Sequence, residues 1–178
     1  MNLGVCIAGH PSDLTPAVMA LDGVIELASN EGRRKTPATE LYLDGRSQTD
    51  TILDSADLLV GVHLPPPRRP NGMAFVKLRM RGTWDFSMAN AAAVLEFEGP
   101  ACARARVAMG GLSPYPFRLR GLESCLEGER LADEGLLYRL AKQAFQDAKT
   151  LPLTREKKQM GVAVLFEALC RAAGLAVR

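Results

Sequence analysis

Aromatic residues make up only 6% of the 178 positions, too few to build a base-stacking surface. No charge of one sign dominates either. Lys and Arg number 22 against 20 Asp and Glu, a net charge of +2, which argues neither for nor against a polyanionic partner; with so few aromatics no nucleic-acid partner is expected. Four cysteines (Cys6, Cys102, Cys125, Cys170) form no CxxC pair, and two histidines cannot complete a zinc site of ordinary spacing. Scattered thiols in a chain showing no secretory leader read as reduced and cytoplasmic. No run reaches the ~18 apolar residues of a membrane span, so no membrane partner is expected. P-loop, GxGxxG, HExxH and GxSxG patterns are all missing, and no nucleophile stands with a base. No catalytic residue and no metal ligand is therefore assigned.

What is present is an ordinary globular composition, 47% hydrophobic and 24% charged. Ser12 is a candidate helix N-cap, with Leu14, Val18 and Leu21 at helical spacing behind it and Asp22-Gly23 as the stop. Residues 24–28 and 33–37 flank Asn30-Glu31-Gly32 and read as a hairpin. A further strand over 58–64 stops at Pro65-Pro66-Pro67. The stretch 65–72 reads as a linker, dividing the chain into units 1–70 and 71–178. Beyond it, strands are expected over 73–80, 87–97 and 101–109, with a turn at Glu98-Gly99-Pro100. Helices are expected over 116–126, 133–149 and 155–173. Strands followed by helices point to an α+β fold.

The string Cys6-Ile7-Ala8-Gly9-His10-Pro11-Ser12-Asp13-Leu14, with Pro16-Ala17 and Ala20-Leu21-Asp22, resembles a segment of the FAD-binding medium subunits of the xanthine dehydrogenase, CO dehydrogenase and molybdenum hydroxylase family. Four further strings agree in order and spacing. They are Asp57-Leu58-Leu59 with Leu64-Pro65, then Phe75-Val76-Lys77-Leu78-Arg79 with Arg81, Asp85-Phe86 and Ala89. After them come Ala108-Met109-Gly110-Gly111-Leu112-Ser113-Pro114 and Leu126-Glu127-Gly128. The resemblance implies a fold of two parts. The first is the partial second lobe of a flavin-binding domain, a helix on a few antiparallel strands. The second is an antiparallel three-stranded sheet covered by three helices.

The resemblance also implies cofactor contacts. Asp13, with Ser12 beside it, matches an acidic residue near the flavin and its ribityl chain. Leu59, or Leu58 if the register is off by one, matches an apolar residue packed on the isoalloxazine. Lys77 matches a lysine at the pyrimidine end. Read without the resemblance, Asp13 is a first-turn carboxylate that suits the helix dipole. Leu58 and Leu59 are then core residues, and Lys77 is one of several solvated cations. Cys6 matches a cluster ligand in one branch of the family, but its companion thiolates are missing, so it reads as a free thiol.

The glycine-rich lobe that holds the FAD pyrophosphate in this family has no counterpart before residue 1. The expectation is therefore a truncated or split FAD-binding subunit that is not active alone and binds FAD weakly. Its expected partners are the molybdenum-containing and iron–sulfur subunits, or a separate N-terminal flavin lobe. The alternative is a cofactor-free interaction module, or an inactive remnant. An uncovered apolar face on the first unit is expected to drive homo-oligomer formation in isolation.

Overall fold

The computed structural model describes residues 8–43, 49–66 and 71–176; Cys6 lies outside them. Among the described residues, four α-helices and two antiparallel sheets form the α+β fold. Helix α1 (Leu14–Ala20) precedes a three-stranded sheet of β1 (Val24–Ser29), β2 (Gly32–Pro37) and β3 (Leu58–His63), in the order β2-β1-β3. The second sheet runs β4-β5-β6-β7, with β4 at Asn71–Leu78, β5 at Ala89–Glu98, β6 at Ala101–Gly110 and β7 at Phe117–Arg118. Helices α2 (Arg120–Leu126), α3 (Glu134–Ala144) and α4 (Glu156–Ala172) complete the chain.

Strand β5 explains how the layers stack. Side chains alternate across a strand, and a strand buried on both faces reads as a continuous apolar run. Ala89, Ala91, Ala93 and Leu95 face one way, into a core shared with Leu137, Leu165, Ala168 and Leu169 of the helices. Ala92 and Val94 face the other way, into a core shared with Val18, Met19, Ile25 and Leu27. The central sheet is thus covered by α2–α4 on one side and by α1 with the small sheet on the other. Each large side chain brought fully inside contributes ~1.5–3 kcal/mol.

Arginines fasten the end of α1. Arg106 Nε donates to Ala20 O at 2.9 Å, and Arg118 Nη1 donates to Met19 O at 3.2 Å. Cations at a helix C-terminus complement the helix dipole. Asp22, with φ 53, turns the chain there and pairs with Arg104 at 2.8 Å and Arg118 at 2.9 Å.

Several expected boundaries move. Helix α2 begins at Arg120 instead of 116, because Phe117 and Arg118 pair with Met109 and Ala108 and add a short fourth strand. Helix α3 stops at Ala144 instead of 149, with Phe145 turning inward to the core. Strand β4 covers Asn71–Leu78, so the expected linker narrows at its end. Asp13 precedes α1 without a capping bond, and Ser12 Oγ accepts the Thr15 N–H at 3.1 Å from one residue further out.

Candidate functional site

The N-terminus of α1 meets the central sheet at a polar cluster. Lys77 Nζ donates to Asp13 Oδ2 at 2.6 Å. The two side chains are 22% and 41% exposed, so the pair faces water without being free in it. Asn90, opposite Lys77 on the neighbouring strand, is fully buried. Its Nδ2 donates to Asp13 Oδ1 at 3.2 Å, Ser12 O at 3.2 Å and Ser87 Oγ at 2.8 Å. Its Oδ1 is buried with no hydrogen-bond partner among the described residues. A buried amide costs free energy unless bonded, so Asn90 marks a place where position has been favoured over comfort.

A second chain of contacts runs beside the first. Thr15 Oγ1 lies 2.9 Å from Ser12 Oγ and 3.0 Å from Tyr42 OH. The Tyr42 ring meets His10 edge-on, with centroids 4.8 Å apart. His10 Nδ1 accepts the Ser12 N–H at 3.4 Å, which leaves the ring proton on Nε2. Burial pushes the His10 pKa down, against an opposing pull from Asp50.

Leu58 and Leu59 sit on β3, in the other sheet. Residues opposite each other in a sheet share a face. Leu59 stands opposite Leu27, a core residue, and Leu58 stands opposite Ala28. Leu59 therefore faces inward and Leu58 outward. An irregularity at Glu26/Leu27 puts Val62, opposite Ile25, on the inward side as well. Leu59 and Val62 are nonetheless 46% and 42% exposed, so the apolar face expected to lie uncovered is found on β3. On β4, Met73, Phe75 and Lys77 stand opposite Val94, Ala92 and Asn90, on the side of the central sheet that faces the first unit. Met73 and Phe75 are also exposed.

Ser12, Asp13 and Lys77 are thus joined in one cluster; Leu58 and Leu59 lie outside it. Asn90, Ser87, Thr15 and Tyr42 were not among the candidate site residues, and His10 entered only as part of the resembling string. Only Asn90 left a signal, as the one polar residue in the apolar run 89–95. This donor set fits the ring end of a flavin. An ammonium–carboxylate pair suits the hydrogen-bonding edge of the ring, and the exposed Met73 and Phe75 on the same face of β4 suit an apolar ring surface. Among the described residues no group of three or more His, Cys, Asp and Glu could hold a metal ion, and no helix is long and apolar enough to cross a membrane.

Residues 4–67 match the FAD binding domain in molybdopterin dehydrogenase, and residues 73–160 match the CO dehydrogenase flavoprotein C-terminal domain. The chain is 31% identical over 170 residues to the aldehyde oxidoreductase FAD-binding subunit PaoB of Escherichia coli, covering 94% of this chain and 51% of that subunit. It is 31% identical over 117 residues to the nicotine 6-hydroxylase medium subunit of Paenarthrobacter nicotinovorans, covering 66% of this chain and 39% of that subunit. The chain therefore spans about half the length, or less, of these relatives. In fold it is similar to a chain of the CO dehydrogenase of Hydrogenophaga pseudoflava, with a TM-score of 0.82 at 23% identity over 94% of this chain and 58% of that one. A chain of the CO dehydrogenase of Oligotropha carboxidovorans gives 0.77 at 25%, over 92% and 57%. FAD is the cofactor of the family so matched. Two family matches in tandem, a relative at 31% identity and a shared fold agree: the chain belongs to the FAD-binding subunit family of the molybdopterin dehydrogenases.

Proposed function

We propose that this chain supplies the ring-end half of an FAD site in a molybdenum hydroxylase-type oxidoreductase. In this reading a glycine-rich lobe grips the pyrophosphate, and molybdenum-containing and iron–sulfur subunits deliver electrons. The boundary between the flavin-site unit and the C-terminal unit falls near residue 70, and the assembly is cytoplasmic. The observation that carries the proposal is the Asp13–Lys77 pair at 2.6 Å, braced by buried Asn90, with exposed Met73 and Phe75 on the same face of β4 as Lys77.

Bound FAD supplies the redox chemistry, accepting and passing on electrons. This chain's residues prepare its surroundings. The Lys77 ammonium donates hydrogen bonds and favours negative charge on the reduced ring. Asp13 holds Lys77 in place and keeps acceptor capacity for ribityl hydroxyls, with Ser12 beside it. Leu59 provides an apolar contact for the ring; Leu58, facing outward, does not. These ring-end contacts, taken by themselves, amount to weak binding.

The test is a titration of the full chain with FAD, followed by flavin fluorescence. Weak saturable binding that Lys77→Met and Asp13→Asn each weaken supports the proposal. Absence of FAD uptake, both alone and in the assembled complex, refutes it.

One observation favours a second reading, that of a docking module. The segment between β4 and β5 exposes Met80 (74%), Trp84 (105%) and Phe86 (78%). Its shape is set by its own bonds, from Arg81 to Asp85 at 3.0 Å and from Arg79 Nη1 to Thr83 O at 3.1 Å. Trp, Phe and Met are enriched at protein interfaces relative to the rest of the surface. With β3 uncovered as well, the chain on its own is expected to self-associate, which light scattering reads directly.

A further inference from the structure

We infer that Lys157 is a positioning residue for the flavin-facing end of α1, acting through the backbone it ties together and not by touching the cofactor. The inference rests on the flavin reading above, but its geometry stands apart from it. Lys157 lies in the first turn of α4, in the helical layer, whereas α1 lies on the other side of the central sheet.

The Lys157 ammonium donates to Gly111 O at 2.6 Å and to Met88 O at 3.2 Å. Each carbonyl belongs to a segment that leads into the polar cluster. Gly111 N–H donates to His10 O at 3.1 Å, and His10 N–H donates to Ser113 O at 2.8 Å. The segment just before Asp13 is therefore strapped onto the turn that follows β6. Met88 N–H donates to Leu78 O at 2.8 Å, one residue beyond Lys77 and two before Asn90. The approaches to Asp13, Lys77 and Asn90 thus converge on one charged donor.

The packing leaves no slack. A Cβ at Gly9 would stand 2.8 Å from Gly111 O and 3.3 Å from Lys157 Nζ. Gly111 itself has φ +76, and a Cβ there would lie 3.0 Å from Ser87 O. Both positions need glycine for the three segments to meet. Burial pushes the Lys157 pKa below the ordinary lysine value, so the ammonium is held there at a desolvation cost that its carbonyl partners offset. Hydrogen bonds from a charged donor are roughly twice as strong as neutral ones, and a buried carbonyl stripped of its donor is costly.

The experiment compares the full chain with Lys157→Met, which keeps the side-chain length, and Lys157→Arg, which keeps the charge and donors. Lys157→Gln repeats the loss of charge with a polar side chain and less risk to the fold. Hydrogen exchange is followed at the His10 and Gly111 amides, alongside FAD titration. Lys157→Met and Lys157→Gln should speed exchange at those two amides by about tenfold, leave the β5–β6 ladder unchanged, and weaken FAD binding by about fivefold. Lys157→Arg should restore most of both. Unchanged exchange at His10 and Gly111 overturns the inference. So does a uniform rise across the whole sheet, which would make Lys157 a general stability residue, or selective loosening with unchanged FAD affinity. Selective loosening in a chain whose wild type takes up no FAD upholds the strap and sinks the flavin reading instead.

Discussion

Replacing Asn90 by Ala tests whether the polar cluster is held from beneath. The wild-type amide is fully buried and offers Nδ2 to Ser12 O, Asp13 Oδ1 and Ser87 Oγ. A net hydrogen bond contributes about 1 kcal/mol, and a buried acceptor left unpaired costs about 1–3 kcal/mol. The Asp13 side chain is 41% exposed, so water can replace the lost donor at little cost. Ser87 is only 7% exposed, so its hydroxyl is the group left stranded. Against this, Asn90 Oδ1 has no partner among the described residues, and deleting it removes an existing penalty. The balance is a loss of about 2 kcal/mol. For a chain of this size that is a fall in Tm of about 4–8 °C. Urea unfolding followed by circular dichroism gives the free energy, and an unchanged m-value certifies that the same unfolding is being measured. Asn90→Ala with stability within about 0.5 kcal/mol of wild type would refute the reasoning, because a surface substitution costs no more.

Two further outcomes follow from burial. Cys102 and Cys170 are enclosed, and burial pushes both thiols up to about 11, whereas Cys125 is exposed. A thiol reagent at neutral pH should modify Cys125 quickly and the other two only on unfolding; rapid reaction of Cys102 in the native chain would contradict the packing of β6. His10 has its pKa lowered by burial, so on acidification the unfolded chain takes up the proton first. Its contribution to stability is full above its ordinary pKa of about 6.5 and is lost as pH falls through that value toward the lowered one. His10→Gln should flatten the stability profile between about pH 5 and 7, and an unchanged slope would remove His10 from the account.

The parts of the fold legible in the sequence were those with strong periodicity. The continuous apolar run of β5 and the stripe of α4 needed no tertiary information. Other boundaries depended on contacts that no local pattern encodes. Phe117 and Arg118 form a strand only because β6 offers Met109 and Ala108 as partners, and α3 stops early because Phe145 is drawn into the core. The choice between Leu58 and Leu59 could not be made from the sequence, since the irregular pairing of β3 with β1 breaks simple alternation. Family resemblance put Asp13 and Lys77 near one cofactor; that they pair with each other, and that Asn90 lies beneath them, came from the structure alone. An asparagine in an alanine-rich strand was the readable clue, because buried polar side chains are seldom there for packing.

The two ends of α1 explain why the central sheet matters to the position of Asp13. At one end, Arg106 and Arg118 take the last carbonyls of the helix, and Arg104 and Arg118 hold Asp22. Arg118 is itself fixed by Glu123 at 2.5 Å, with both side chains buried. At the other end, Lys77 and Asn90 hold Asp13. A seven-residue helix has little stability of its own. Its direction is therefore imposed by the sheet to which both ends are bonded. Asp13 is placed by β4, β5, β6 and β7 as much as by the helix it precedes. A ligand-facing group gains precision when its supports are rigid elements and not loops. A substitution deep in the C-terminal unit, such as one at Glu123, should then disturb the geometry at Asp13 without touching it.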